Sequence, residues 1–156
     1  MQYRRVHLVR WKAERGSAII ELTLLMPFFL LLLMGTIDFS RVFYTALAIT
    51  HAARAGAQYG AQSNGASQDD AGMAQAARTA AQDLDSLGVT ATHYCKCTID
   101  GVTLTNPTPN TCTGACVGAR QIYVQVTTSK TFQTLWNYPG IPHTVNLNRT
   151  ATLRAQ

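Results

Sequence analysis

From Ser17 to Ile37 the chain carries 21 residues that are almost all apolar. As an α-helix this run would extend about 31 Å at 1.5 Å per residue, which matches the hydrocarbon core of a bilayer. The run constrains the architecture before anything else does. One segment is set aside for a membrane, and a chain of 156 residues leaves room for about one modest domain beside it. Of the formal charge of +5, most sits ahead of the run, where Arg4, Arg5, Arg10, Lys12 and Arg15 face only Glu14. Just past the run, Asp38 and Arg41 balance. Positive charge on one flank puts the N-terminus in the cytoplasm and the remainder of the chain on the far side. The same distribution argues against nucleic-acid binding, which needs Lys and Arg clustered on a folded face.

Three regions follow: a basic leader at 1–16, a transmembrane segment at 17–37 and an exported domain at 38–156. Helical spacing continues beyond the apolar run, since Phe39, Val42, Phe43, Ala46, Ile49, Ala53 and Gly56 recur at three and four. One helix from about Ser17 to Gln62 is expected, broken by Ser63, Asn64, Gly65 and Ala66. Asp69 or Asp70 can cap a second helix through Met73, Ala77, Ala80 and Leu84 to Leu87, with Gly88 ending it. Val89 to Ile99 is a β-rich run closed by Asp100 and Gly101, followed by a loop with Asn106, Pro107, Pro109, Asn110 and Gly114. Ile122, Val124 and Val126 alternate with Tyr123, Gln125 and Thr127, while Val145, Leu147, Ala151 and Leu153 share a face. Both segments read as half-buried antiparallel strands. Between them Leu135, Trp136, Tyr138, Pro139, Gly140, Ile141 and Pro142 form a proline-broken connector expected to pack over the sheet edge. The class is α+β: a long N-terminal transmembrane helix continuing into an exported domain with a second short helix and about three antiparallel strands.

A carboxylate four residues into the apolar run, Glu21, costs free energy that lessens towards the interface, which its side chain can reach by snorkelling. Its neighbourhood offers another account. Gly16 followed by Ser17 places Glu21 fifth after a small residue, directly behind the basic stretch, and this arrangement resembles a type IV prepilin cleavage site. Leu22 stands where Phe or Tyr is often found. The longer string Arg15-Gly16-Ser17-Ala18-Ile19-Ile20-Glu21-Leu22-Thr23-Leu24-Leu25-Met26-Pro27, continued by Gly35-Thr36-Ile37-Asp38-Phe39-Ser40-Arg41 and Ala52-Ala53-Arg54-Ala55-Gly56-Ala57, resembles the TadE-like family over about residues 14–60. TadF-type and TadG-type proteins share the pattern, and the short length favours TadE over the longer TadG-like members.

That resemblance implies a pilin-like minor pseudopilin of the bacterial tight-adherence (Flp) pilus system, used in assembling or initiating an adhesive pilus. It implies single-pass residence in the inner membrane with a periplasmic C-terminal domain. The implied partners are a prepilin peptidase, other pseudopilins and pilus assembly platform proteins, with no small-molecule substrate. The peptidase would cut between Gly16 and Ser17, leaving Ser17 as the new amino terminus. Glu21 could then pair with a neighbouring subunit's N-terminal ammonium and set axial register in an apolar core. Pro27 removes one backbone hydrogen bond and crowds the carbonyl of Thr23, so it can bend the helix for subunit assembly or be a tolerated kink.

Cys95, Cys97, Cys112 and Cys116 all fall in the exported part, where an oxidising compartment favours two disulfides. Three connectivities exist, and the two that cross between pairs are favoured, because a Cys95 to Cys97 bond would close a very small ring. Zinc ligation is the competing reading, although Cys95-x-Cys97 and Cys112-x3-Cys116 fit common zinc knuckles poorly. His7, His51, His93 and His143 are scattered without an acid or nucleophile at a recognisable spacing, and no phosphate loop or nucleophile elbow is present. No enzyme, cofactor or resident metal is expected. Two alternatives compete with the pseudopilin: signal-peptide cleavage after Ala46-Leu47-Ala48, and an unprocessed, membrane-anchored periplasmic binding module.

Overall fold

The computed structural model describes residues 17–99, 102–105, 119–138 and 140–156. The basic leader with Gly16, the Asp100-Gly101 pair, and the loop carrying Cys112 and Cys116 lie outside them.

The first element, α1 (Ser17–Ala61), is a 45-residue helix that runs through Pro27 without interruption. Its composition is rich in Leu and Ala, which lose little rotamer freedom in a helix. Four threonines would otherwise offer the backbone competing bonds. Each instead donates its hydroxyl to the carbonyl four residues back: Thr23 to Ile19, Thr36 to Leu32, Thr45 to Arg41 and Thr50 to Ala46. From Ala18 to Leu33 every side chain is exposed, with Leu24 reaching 77%. An apolar surface on all sides of a helix needs an apolar solvent. This helix is long and apolar enough to cross a membrane, and it anchors the chain as a single pass.

The chain divides between Ile37 and Asp38 into two units. The second holds the rest of α1 and all later elements: α2 (Asn64–Ser67), α3 (Asp70–Thr79), β1 (Gly88–Ile99), β2 (Val102–Thr105), β3 (Ala119–Gln133) and β4 (Thr144–Arg154). The strands form one antiparallel sheet in the order β2-β1-β3-β4.

Several boundaries differ from the sequence expectation. The break after α1 winds one helical turn, α2, because Ser63 caps it by accepting a 3.1 Å bond from the Ala66 amide. Asp69 caps α3 as expected, accepting from the Gly72 amide at 2.8 Å. That helix stops at Thr79 and not at Leu87. Asp83 and Asp85 would lie in its last turns, where the helix dipole disfavours acids. The chain leaves instead through tight turns, Ala81 bonding Arg78 and Leu84 bonding Ala81, and through Ser86 at φ 58°. Gly88 opens β1 and does not close a helix. The sheet has four strands where about three were expected. The addition is β2, whose four residues pair with Lys96 to Ile99 and are too few to show an alternation in sequence.

The core lies where α1 and α3 cover the inner face of the sheet. Ala57, Met73, Ala77, Val124 and Val126 form one buried cluster. On β3 the even-numbered positions Val124, Val126, Thr128 and Phe132 point inward, which is the alternation expected from Ile122 to Thr127. The helix meets the strand closely at two glycines. A Cβ on Gly56 would stand 2.7 Å from the Met73 carbonyl oxygen and 3.1 Å from Val126 Cγ1, and one on Gly60 would meet Met73 and Val124. Ala53, Gly56 and Gly60 are thus committed to packing within the chain. Gly35 has nothing within 4 Å of its Cβ position.

Gly56→Val therefore forces a backbone carbonyl and β3 apart. The substitution is expected to lower the unfolding free energy by about 1–3 kcal/mol, as overpacking of a filled core does. Gly35→Ala is expected to leave it unchanged or slightly raised, because Ala is the better helix former. Urea unfolding of the full chain in detergent, followed by far-UV circular dichroism, compares the two.

Candidate functional site

Two places on α1 carry polar groups in an apolar setting: Glu21, near its start, and Asp38, at the end of the membrane run. Glu21 lies one turn after Ser17 and is exposed between Ile20 and Leu22, themselves 70% and 56% exposed. No described residue pairs with it. Its carboxylate is thus carried on an apolar helix surface without a ligand from its own chain among the described residues. Pro27 stands six residues further on, within the continuous helix. Gly16, the other half of the expected cleavage site, lies outside the described residues.

Asp38 is ligated by its own chain. The i, i+3 pair with Arg41 forms, with Nη1 to Oδ1 at 3.2 Å, but Asp38 is 5% exposed and not a solvated surface acid. Both its oxygens accept from the Leu135 amide, each at 3.2 Å. Arg41 in turn lies 5.2 Å from the centre of the Phe132 ring. One carboxylate therefore holds the connector between β3 and β4 onto α1. Burial by itself would raise the Asp38 pKa. The bond from the Leu135 backbone, the neighbouring Tyr138 hydroxyl and the Arg41 bond and charge outweigh it, and hold the value below 3.8. Burial, with Asp38 beside it, pushes the Tyr138 pKa up. The Tyr138 hydroxyl is itself buried and falls outside hydrogen-bond geometry.

The connector is pinned at Leu135 and closed by its own bonds. The Thr134 amide donates to the His143 carbonyl at 3.0 Å, and the Thr134 hydroxyl lies 2.9 Å from His143 Nδ1. A tight turn closes where the Ile141 amide donates to the Tyr138 carbonyl at 3.2 Å. Gly140, at φ 82°, supplies the positive φ that glycine adopts without steric cost.

β1 carries Cys95 and Cys97 two residues apart, opposite Ile122 and Arg120 of β3. Neither is a free thiol. Among the described residues no group of three or more His, Cys, Asp or Glu is placed to hold a metal ion. His93 on β1 meets Asp70 Oδ1 at 3.2 Å, His51 is exposed on α1, and His143 belongs to the connector.

The fold and anchor define a class: a single-pass membrane protein of α+β architecture whose sheet is built on the continuation of its own anchor helix. The family model of TadE-like proteins matches residues 16–58, a segment that includes Glu21, Pro27 and Asp38. No curated protein and no solved structure matches the chain.

Folding lowers the Asp38 pKa, so the carboxylate contributes stability that is complete above the unfolded value of 3.8 and is lost as pH falls through the lower folded value. Wild type is therefore expected to lose stability on acidification below about pH 4, as the carboxylate takes up its proton. Asp38→Asn is expected to lose less over the same interval, and in Asp38→Ala the Leu135 amide is expected to exchange hydrogen faster. Thermal unfolding against pH and amide exchange by mass spectrometry measure these effects.

Proposed function

We propose that the chain is a minor pseudopilin that takes part in assembling or initiating a tight-adherence (Flp) pilus used for surface adhesion. The match of residues 16–58 to TadE-like proteins carries the proposal, because it spans both the processing motif and the helix that would enter an assembly. In this reading the chain sits in the bacterial inner membrane with Met1 in the cytoplasm and residues 38–156 in the periplasm. A prepilin peptidase hydrolyses the peptide bond between Gly16 and Ser17. The new ammonium at Ser17 is then free to meet a carboxylate. An exposed Glu21 without a ligand among the described residues suits a pairing between subunits, since a carboxylate in an apolar packing requires a cation beside it. Pro27 loosens the same helix for the passage from bilayer to assembly. The other partners are further pseudopilins and the assembly platform. The role is one of assembly and not of catalysis, with no cofactor, small-molecule substrate or nucleic acid.

In the same reading the four cysteines form two disulfides that cross from Cys95 and Cys97 to Cys112 and Cys116, stiffening the sheet edge near β2. Two residues along a strand span about 6.6 Å, the upper limit of disulfide Cα separations, which disfavours a bond between Cys95 and Cys97. Peptide mapping without reduction is expected to yield only crossed pairs, and a Cys95 to Cys97 peptide would contradict this pairing.

N-terminal mass spectrometry of membrane-derived protein tests the central step. In cells that make a prepilin peptidase, wild type is expected to begin at Ser17. Glu21→Ala then shows whether the carboxylate serves cleavage, if the leader is retained, or only later assembly, if it is lost. A wild type that still begins at Met1 rejects processing and favours an unprocessed, membrane-anchored binding module.

A further inference from the structure

The connector from Thr134 to His143 has no charged residue, yet it leaves Leu135, Trp136 and Ile141 exposed at 57%, 53% and 55%. Loops between strands are ordinarily polar, and large apolar side chains grouped on a short loop mark a surface that something apolar covers. Its position along the chain says what covers it. Leu135 donates its amide to both oxygens of Asp38, and Asp38 is the residue immediately after the membrane run that ends at Ile37. A loop bonded to the residue that follows the apolar run is tied through the chain itself to the point where that run ends.

We infer that the 134–143 connector is a second membrane contact, dipping Leu135, Trp136 and Ile141 into the headgroup and acyl boundary next to the exit of α1. Tryptophan is enriched at this depth because its ring is apolar while its indole N–H can reach water or headgroup oxygens. The loop is built for the purpose. The Thr134 and His143 bonds close its base, the Gly140 turn closes its tip, and Asp38 fixes its distance along α1. The inference rests on the membrane anchor and is independent of cleavage at Gly16 and of any pilus role.

The chain has two tryptophans, so Trp11→Phe leaves Trp136 alone. The full-length variant is reconstituted in phosphatidylcholine vesicles and first tested for resistance to alkaline carbonate, which reports on the anchor by itself. Trp136 emission is then quenched with lipids bearing a nitroxide near the headgroup, and separately with aqueous acrylamide. Roughly half or more of the emission is expected to be lost to the shallow lipid quencher, as for an indole at the interface. Ile141→Ser, a change at an exposed position, is expected to weaken that quenching while carbonate resistance stays unchanged, and Asp38→Ala is expected to do the same. Emission quenched by acrylamide but not by the lipid label would overturn the inference, because the loop would then face water. Shielding from both quenchers that depends on the protein-to-lipid ratio would also overturn it, assigning the patch to a second copy. Extraction by carbonate would remove the anchor itself and the inference with it.

Discussion

The close approach of α1 to β3 at Gly56 and Gly60 organises the second unit. No side chain intervenes at these positions, so Met73 of α3 and Val124 and Val126 of β3 reach the helix directly. The same line of approach continues to Thr128, whose buried hydroxyl donates to the Ile49 carbonyl at 2.8 Å. That bond satisfies a polar group in the core and holds the strand against the helix lengthwise. At the far end the chain closes on the helix again, with the Gln156 amide donating to the Ala61 carbonyl at 3.3 Å. A small four-stranded sheet with two short helices has little core of its own, and the anchor helix supplies the missing wall.

One helix therefore answers to two solvents. From Ala18 to Leu33 its side chains are exposed all round and suited to lipid. From Asp38 it keeps a single buried stripe through Thr45, Ile49, Ala52, Ala53, Gly56 and Gly60, at three- and four-residue spacing. Asp38 marks the change. A buried carboxylate would be costly in either solvent unless ligated, and the Leu135 amide and Arg41 ligate it. In doing so it ties the loop between the last two strands to the start of the second unit.

The TadE-like match ends at residue 58, within α1. What resembles that family is thus the helix that meets the membrane and lines the core. The sheet, the cysteines and the connector belong to the part beyond the match.

Much of this was legible from residues alone, because it depends on local rules. Apolar length identified the anchor, three- and four-residue spacing carried α1 to within one residue of its observed end, Asp69 marked a cap, and alternation identified the faces of β3 and β4. The early end of α3, the strand β2 and the docking of the connector were not legible. Each depends on groups far apart in sequence, or on a segment too short to show a period. Sequence likewise left open whether the small residues of α1 serve other helices or the chain's own sheet, since both uses require the same absence of side chain. The sequence by itself determined that one helix crosses a membrane and carries a prepilin-like motif, because length, charge asymmetry and spacing are local properties. Only the tertiary structure decided that Gly56 and Gly60 are spent on an intramolecular core and that Asp38 is a buried joint, because both depend on residues 124–135 arriving there.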